Sequence, residues 1–335
     1  ALSTLKTLLY QIEQVNGFFY HFMDLRTGKR ALKSEISIID TAIAICGAIT
    51  AGEYFGQGVK ELAEILYRRV QWGWYRDPRS NQFYMSYTPE RGFSGWWDFY
   101  AEQLIMYILG AASPTDSVEG DMFYSFVRQY NCDGHHSNFI YSWYGSLFTY
   151  QFSHAWLDMR NKLDREGVDW WKNSVAASES NHRFCVEQGE KFKGLGPFSW
   201  GLTACDGPWG YNGRYGAAPS GLYNNEHVVD GTVPPCGAAG SIVFVPQKSL
   251  SALQYYYEQY PNLWGKYGFM DAFNIDVSPN WFSRDVIGIN KGITLLMIEN
   301  YRTGLVWRYF MKNRYVQRGL KKVGVVEIVR EPIIA

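Results

Sequence analysis

The stretch Gly95-Trp96-Trp97-Asp98-Phe99-Tyr100-Ala101-Glu102-Gln103-Leu104-Ile105-Met106-Tyr107-Ile108-Leu109-Gly110 passes from an aromatic loop into an almost wholly apolar run. The spacing predicts a helix over 96–111 with one carboxyl in its first turns. Helical spacing recurs near 2–14, 38–52, 57–72, 118–129, 145–157, 166–180, 248–260, 288–299 and 301–312. Ser37-Ile38-Ile39-Asp40 reads as a capping box. Ser117-Val118-Glu119 and Asp164-Arg165-Glu166 read as first turns. Strand alternation is scarce, with short candidates at 83–87 and 241–245. Long loops rich in Gly, Trp and Tyr separate the helices, the largest over about 190–240. Loops of that length in a compact domain usually carry function. No Pro/Ser-rich linker divides the chain, so residues 1–335 are read as one domain. The expectation is an all-α fold of paired helices, an α/α toroid whose loops line a bowl at one end.

Composition agrees with a packed globular chain. Of 335 residues, 47% are apolar and 19% charged, which excludes a disordered or collagen-like chain. Lys and Arg number 32 against 32 Asp and Glu, which excludes a strongly basic nucleic-acid binder. No apolar run reaches the roughly 18 residues of a membrane span. Aromatic residues reach 17%, with 13 Trp, 25 Tyr and 20 Phe. Many stand beside Gly, which points to an indole-lined cleft. Five cysteines, Cys46, Cys132, Cys185, Cys205 and Cys236, contain no CxxC pair, so a zinc site is not expected. Cys46 reads as a core residue, and the sequence leaves one disulfide among the other four open. The chain opens on Ala1, so removal of residues upstream is expected.

Several chemistries lack their motifs. There is no GxxxxGK[ST], no HExxH and no GxSxG. Gly210–Gly216 follows no strand and is no dinucleotide fingerprint. What remains is carboxylates among aromatics. Glycoside cleavage needs one carboxylic acid to protonate the leaving oxygen and a second carboxylate as base or nucleophile, and flat rings to receive sugar C–H faces. Glu102, beside indoles, loses solvation, and its pKa should rise towards acid use; the plainer reading is a carboxylate favoured by a helix N-terminus. Asp24 is a second acidic candidate, or a turn residue leading into Thr27-Gly28. Glu35 and Asp40 flank a helix start, as ligands of substrate or as first-turn and capping residues. His154, within Gln151–Trp156, is a sugar contact or a satisfied core histidine. Asp206 lies in a tryptophan-dense loop, as a ligand contact or a plain Asp-Gly turn. Glu299 and Arg302 read as a structural pair.

Five motifs resemble the glucoamylase-like domain of glycoside hydrolase family 144. They are Gly-Phe-Phe-Tyr-His-Phe at 17–22, Gln-Phe-Ser-His-Ala-Trp at 151–156, Trp-Gly-Leu-Thr-Ala-Cys-Asp-Gly-Pro at 200–208, Tyr-Gly-Phe-Met-Asp-Ala-Phe-Asn at 267–274 and Met-Ile-Glu-Asn-Tyr-Arg-Thr-Gly-Leu-Val-Trp-Arg at 297–308. They run in family order across nearly the whole chain. The resemblance implies an (α/α)6 barrel and hydrolysis of β-1,2-glucan, with inversion and without a metal or cofactor. It implies Glu102 as general acid and Asp24 as an acidic residue of the same pocket. The family's carboxylate in Gly-Ile-Asp-Gln-Gly falls on Asn290, within Gly288-Ile289-Asn290-Lys291-Gly292, and an amide cannot act as base. The family also carries about two helices before the position of Leu2–Tyr10, so ten or eleven helices are expected here rather than twelve.

The sequence therefore predicts a glycoside hydrolase for β-1,2-glucan or its oligosaccharides, with Glu102 and Asp24 catalytic. Trp96, Trp97, Trp200, Trp209 and Tyr211 would hold glucose rings. Glu35, Asp40, Tyr100, Gln151, His154, Asp206, Arg214, Asp230 and Asn290 would complete the sugar contacts. The rivals are a carbohydrate-binding relic and a transglycosylase domain of the type found in cyclic β-1,2-glucan synthases. The partner is a glucan, with no nucleic acid, no membrane span and a monomeric state expected. Family members imply a periplasmic or exported location.

Overall fold

The computed structural model describes residues 1–130 and 138–328, so Cys132 lies outside the described residues. Eleven α-helices are present among those residues: α1 Leu2–Tyr10, α2 Ile38–Phe55, α3 Gln57–Arg69, α4 Leu104–Ala112, α5 Phe148–Trp156, α6 Trp170–Gln188, α7 Pro235–Gly240, α8 Pro246–Gln259, α9 Gly288–Thr303, α10 Leu305–Met311 and α11 Arg314–Lys322. α2 starts where the sequence says it should. Ser37 Oγ accepts the Asp40 backbone N–H at 3.1 Å, satisfying one orphan donor of the first turn. By length and composition α2 could cross a membrane, but here Ile38, Ala42, Ile45, Cys46 and Ile49 are buried in the core. α2 packs on α3 and α4, and α1 covers α3. α7 packs against α8 and α9, and α5 against α6 and α9. The C-terminal helices return to the beginning: α10 lies against α2, α5 and α9, and α11 against α4. Polar ties pin this closure. Asn313 Nδ2 donates to Glu53 Oε1 at 2.8 Å, Asn300 Nδ2 to the Ala155 carbonyl at 2.8 Å, and Trp307 Nε1 to the His154 carbonyl at 2.7 Å.

The chain is rich in helix, but it is not all-α. Six strands form an antiparallel sheet: β1 Gln14–Val15, β2 Phe18–Tyr20, β3 Ile36–Ser37, β4 Arg76–Asp77, β5 Gln82–Thr88 and β6 Gly92–Trp96. The order is β1-β2-β3-β5-β4, with β6 also paired to β5. The predicted strand at 83–87 is β5. The other candidate, 241–245, is a buried turn between α7 and α8, closed by Phe244 N–H to the Ser241 carbonyl, and Pro246 then opens α8.

Three predicted helices change. The one at 96–111 begins only at Leu104, because β6 pairs with β5 through Trp96 opposite Tyr84. The one at 118–129 shrinks to a 3₁₀ turn, Gly120–Tyr124. The one at 166–180 is capped by Asp169 and runs 170–188. Asp164 instead anchors the preceding loop, accepting from Val168 N, Glu166 N and Trp170 Nε1.

Much of the aromatic surplus is core. Trp72, Trp170, Trp200, Tyr67, Tyr75 and Tyr100 are among the largest fully buried side chains. Tyr100 stacks on Trp170 at 4.8 Å. Cys46, Cys185, Cys205 and Cys236 are buried free thiols, so none of these four forms a disulfide with another.

Backbones cross tightly where α7 meets the 200–208 loop. A Cβ on Gly237 would stand 1.8 Å from the Gly201 carbonyl oxygen, and Gly201 itself has φ of 115°. No rotamer change relieves a clash with backbone. Gly237→Ala is therefore expected to destabilise by at least the ~1–3 kcal/mol of an overpacked core. An unchanged thermal midpoint would contradict this packing.

Candidate functional site

Glu102 sits in the link between β6 and α4. Gln103, fully buried, holds that link: its Oε1 accepts the Ala101 N–H at 2.5 Å and its Nε2 donates to the Phe99 carbonyl at 2.8 Å. Ser153 Oγ, from α5, donates to the Glu102 carbonyl at 2.7 Å. The backbone is thus fixed from both sides, and Glu102 is only 9% exposed. Burial raises its pKa to about 7. Its own backbone N–H opposes the rise, and the negative charge of Asp40 adds to it.

Asp40 lies in the first turn of α2 but does not complete the capping box. Its Oδ2 is 2.6 Å from His21 Nδ1 instead. That hydrogen bond raises the His21 pKa, against the effect of burial, and the charges of Asp40 and Glu35 add to the rise. Ser37 caps α2, which leaves the Asp40 carboxylate to face His21.

A second acidic group centres on Asp271, which lies in the 267–274 motif and is not among the predicted site residues. Asp271 is buried. Its Oδ1 accepts from Asn290 Nδ2 at 2.8 Å and its Oδ2 from the Asp206 N–H at 2.9 Å. Burial raises its pKa, and those two hydrogen bonds oppose the rise. Asp206 is also raised by burial, while Ser283 Oγ donates to its Oδ2 at 3.0 Å. Lys291 is lowered by burial, and the fields of Cys236 and Asp271 oppose that change. Tyr211 connects the two groups electrostatically: after burial, its hydroxyl is raised by Cys205, Asp271, Cys236 and Glu102. Asp230 stands beside this group, accepting from Tyr215 OH at 2.6 Å and from Thr232 N–H at 2.9 Å. The 207–210 turn is closed by reciprocal Gly207 and Gly210 hydrogen bonds, and it presents Trp209 with 88% of its surface exposed.

Two hollows adjoin the Asp206–Asp271 pair. One, of about 500 Å³, lies against α7, α8 and α9 with Asp271, Asn290 and Lys291 at its polar end. The other, of about 770 Å³, is lined by Asp206 and by the 280–285 segment.

Other expected site residues fall elsewhere. Asp24 is exposed in a turn, where its Oδ1 accepts from Arg26 N, Thr27 N and Thr27 Oγ1. The acidic group whose field reaches Glu102 is Asp40. Four predicted sugar contacts are buried. Tyr100 is core. Gln151 is buried, donating to the Gly237 carbonyl and to Ser241 Oγ. His154 is packed edge-on against Trp171 and Phe244, and burial lowers its pKa to about 4. Trp200 is buried, its backbone N–H donating to Tyr256 OH and its indole N–H to the Lys248 carbonyl. Arg214 is turned to Glu226, donating to its carbonyl at 3.2 Å. Glu35 is half-buried beside His21, whose N–H its carbonyl accepts. Trp96 is 45% exposed and donates Nε1 to Asp77 at 2.9 Å. Trp97 is buried with an indole N–H that has no hydrogen-bond partner among the described residues. Among those residues no cluster of His, Cys, Asp and Glu has a metal-holding arrangement.

Comparison with known proteins finds relatives that act on sugars. The family model described as "Putative glucoamylase" matches residues 95–314. An exo β-1,2-glucooligosaccharide sophorohydrolase (non-reducing end) from Parabacteroides distasonis is 29% identical, over 95% of this chain and 48% of its own length. The chain thus spans about half of that curated relative. An endo-β-1,2-glucanase from Chitinophaga pinensis, solved with sophorotriose and glucose, is 30% identical with a TM-score of 0.85, over 97% of this chain and 82% of that one. A β-1,2-glucanase from Parabacteroides distasonis is 27% identical with a TM-score of 0.83, over 96% of this chain and 50% of that one.

The burial of Glu102 has a consequence for stability. A carboxyl raised from 4.5 to about 7 favours the fold when protonated. That contribution is complete below pH 4.5 and is lost as pH rises through about 7, at a cost of order 3 kcal/mol. Glu102→Gln cannot ionise. It should melt higher than the parent at pH 8, with that advantage gone at pH 4. Equal midpoints at pH 8 would show the carboxyl to be solvated.

Proposed function

The chain belongs to the glucoamylase-like family, and from that premise we propose that it is a glycoside hydrolase acting on β-1,2-glucan or its oligosaccharides. One observation carries the reading: Glu102 is buried within the field of a second carboxylate, Asp40, and its pKa stands at about 7. Two acidic groups in environments that separate their roles are the equipment of glycoside cleavage. Glu102 protonates the glycosidic oxygen as the C–O bond breaks. Asp40, oriented by His21, takes the proton of the attacking water. The buried, unpaired N–H of Trp97 is a donor awaiting a sugar oxygen, and the exposed rings of Trp209 and Tyr211 offer platforms for sugar faces.

The finer fold we propose is the (α/α)6 barrel, supported by the α2–α3 pairing and by the return of α10 onto α2 and α5. A periplasmic or exported location belongs to the same proposal and rests on the resemblance. A second reading, a carbohydrate-binding relic, draws on Asn290, whose amide occupies the family's carboxylate position.

Incubation with linear β-1,2-glucan and sizing of the products tests the function: short sugars support it, and an unaltered polymer overturns it. Glu102→Gln should lower kcat by roughly 10²–10⁴-fold. Because a general acid works protonated, kcat/KM of the parent should fall as pH rises through about 7. A rate undiminished at pH 9, or near-parental turnover by Glu102→Gln, would remove Glu102 from the chemistry. Asn290→Asp would set a second carboxylate 2.8 Å from Asp271 Oδ1 and should reduce activity, most at alkaline pH. A gain beyond roughly tenfold, about 1.4 kcal/mol of barrier, would instead make position 290 a base.

A further inference from the structure

The hollow of about 770 Å³ beside Asp206 is unassigned by the reading above, which it deepens and on which it rests. Its lining combines Asp206, Asn262, Asn280, Trp281, Arg284 and Asp285. The volume falls within the usual range of small-molecule clefts. The chemistry of the walls narrows the ligand. Two carboxylates accept hydroxyl hydrogens and disfavour an anion. One guanidinium and two amides donate to hydroxyl and ring oxygens. Trp281, half-buried on its strand with Phe282, adds an indole surface. Arg284 is exposed and forms no ion pair with the described residues, so its donors are open to a ligand. Ser283 keeps the wall in order: its Oγ donates to Asp206 and accepts the Asp285 N–H at 3.1 Å. Burial raises the Asp206 carboxyl, and the nearby Asp285 adds to the rise. Two acidic groups that close are relieved by a ligand that donates hydrogen bonds.

The hollow is also continuous with the acidic group described above. Asp206 N–H donates to Asp271, and Tyr211 is within the fields of both Asp271 and Glu102. Gly207 and Gly210, the ends of the turn that presents Trp209, line the same hollow. A chain of sugar units leaving Glu102 past Tyr211 would meet these walls next. We propose that this hollow is a distal subsite for a neutral hexose unit of an oligosaccharide, recognised by Arg284, Asn280 and Asn262 through its hydroxyls, with the rim of Trp281 beneath it.

Arg284 and Asn280 are exposed, so Arg284→Ala and Asn280→Ala should leave folding intact. Binding is measured by calorimetry in the Glu102→Gln background, which prevents turnover, with a linear β-1,2-linked glucohexaose and with the disaccharide as probes. Loss of a charge-assisted contact should weaken hexaose binding by roughly tenfold and leave disaccharide binding unchanged. Equal hexaose affinity in both variants, or no hexaose binding by the Glu102→Gln parent, overturns the subsite. An equal loss for both sugars also overturns it, since the contact would then lie at the catalytic end. Hydrolysis by the otherwise unaltered enzyme is scored separately. If it cleaves the glucan while the variants bind normally, the function stands and the subsite falls. If it cleaves nothing, the function falls, and the calorimetry still decides the hollow.

Discussion

Keeping the Glu102 carboxyl out of water costs free energy in the ionised state, and the surrounding structure is arranged to hold it there. Gln103 bridges Phe99 and Ala101, and Ser153 reaches from α5 to the Glu102 carbonyl. These bonds satisfy the backbone of a link that is neither strand nor helix, as buried polar groups require. Without them the β6-to-α4 connection would have no reason to stop short of the helix. The apolar run that begins at Leu104 is then free to fill the space against α2 and α11.

Charge is distributed with the same economy. Ser37 caps α2, so Asp40 need not, and its carboxylate turns to His21. The field of Asp40 then adds to the rise that burial gives Glu102. Two carboxyls on different elements thereby differ in environment: one is desolvated, the other hydrogen-bonded and half-buried. The difference is a product of tertiary packing, since 62 residues separate them in the chain.

The strongly periodic helices were legible from sequence because burial of one face imposes the spacing: α2, α3, α5, α8 and α9 lie near where apolar residues recur. The sheet was not, since three of its six strands are two residues long and a fourth only three, and alternation needs more length to register. α7 escaped notice because it is made of Pro, Cys, Gly and Ala, buried whole and without a polar face. In the site, Glu102 was readable from its aromatic flank. The burial of Tyr100, Gln151, His154 and Trp200 was not readable, because an aromatic or polar residue in a conspicuous motif looks alike whether it faces a cleft or the core. Asp271 was the converse. Its neighbours Met270 and Ala272 mark it as nothing unusual, and only its contacts with Asp206 and Asn290 reveal it.

Asn290 stands where the family resemblance implies a carboxylate, and its contacts show what an amide does there. With an acid at 290, two carboxyls 2.8 Å apart would share a proton, and the pair rather than either residue would titrate. The amide removes that coupling. Nδ2 donates to Asp271, which also receives the Asp206 N–H, so the Asp271 carboxyl holds two fixed donors against the cost of its burial. Lys291, one residue on, contributes a cation whose field also lowers it. Asn290 is thus a donor that orients an acid, and the ionisable group of this wall is Asp271. On the α4 and α2 side the environments differ in kind: Glu102 is desolvated with a pKa raised to about 7, and the Asp40 carboxylate is hydrogen-bonded to His21, the contrast on which the proposed division of acid and base rests.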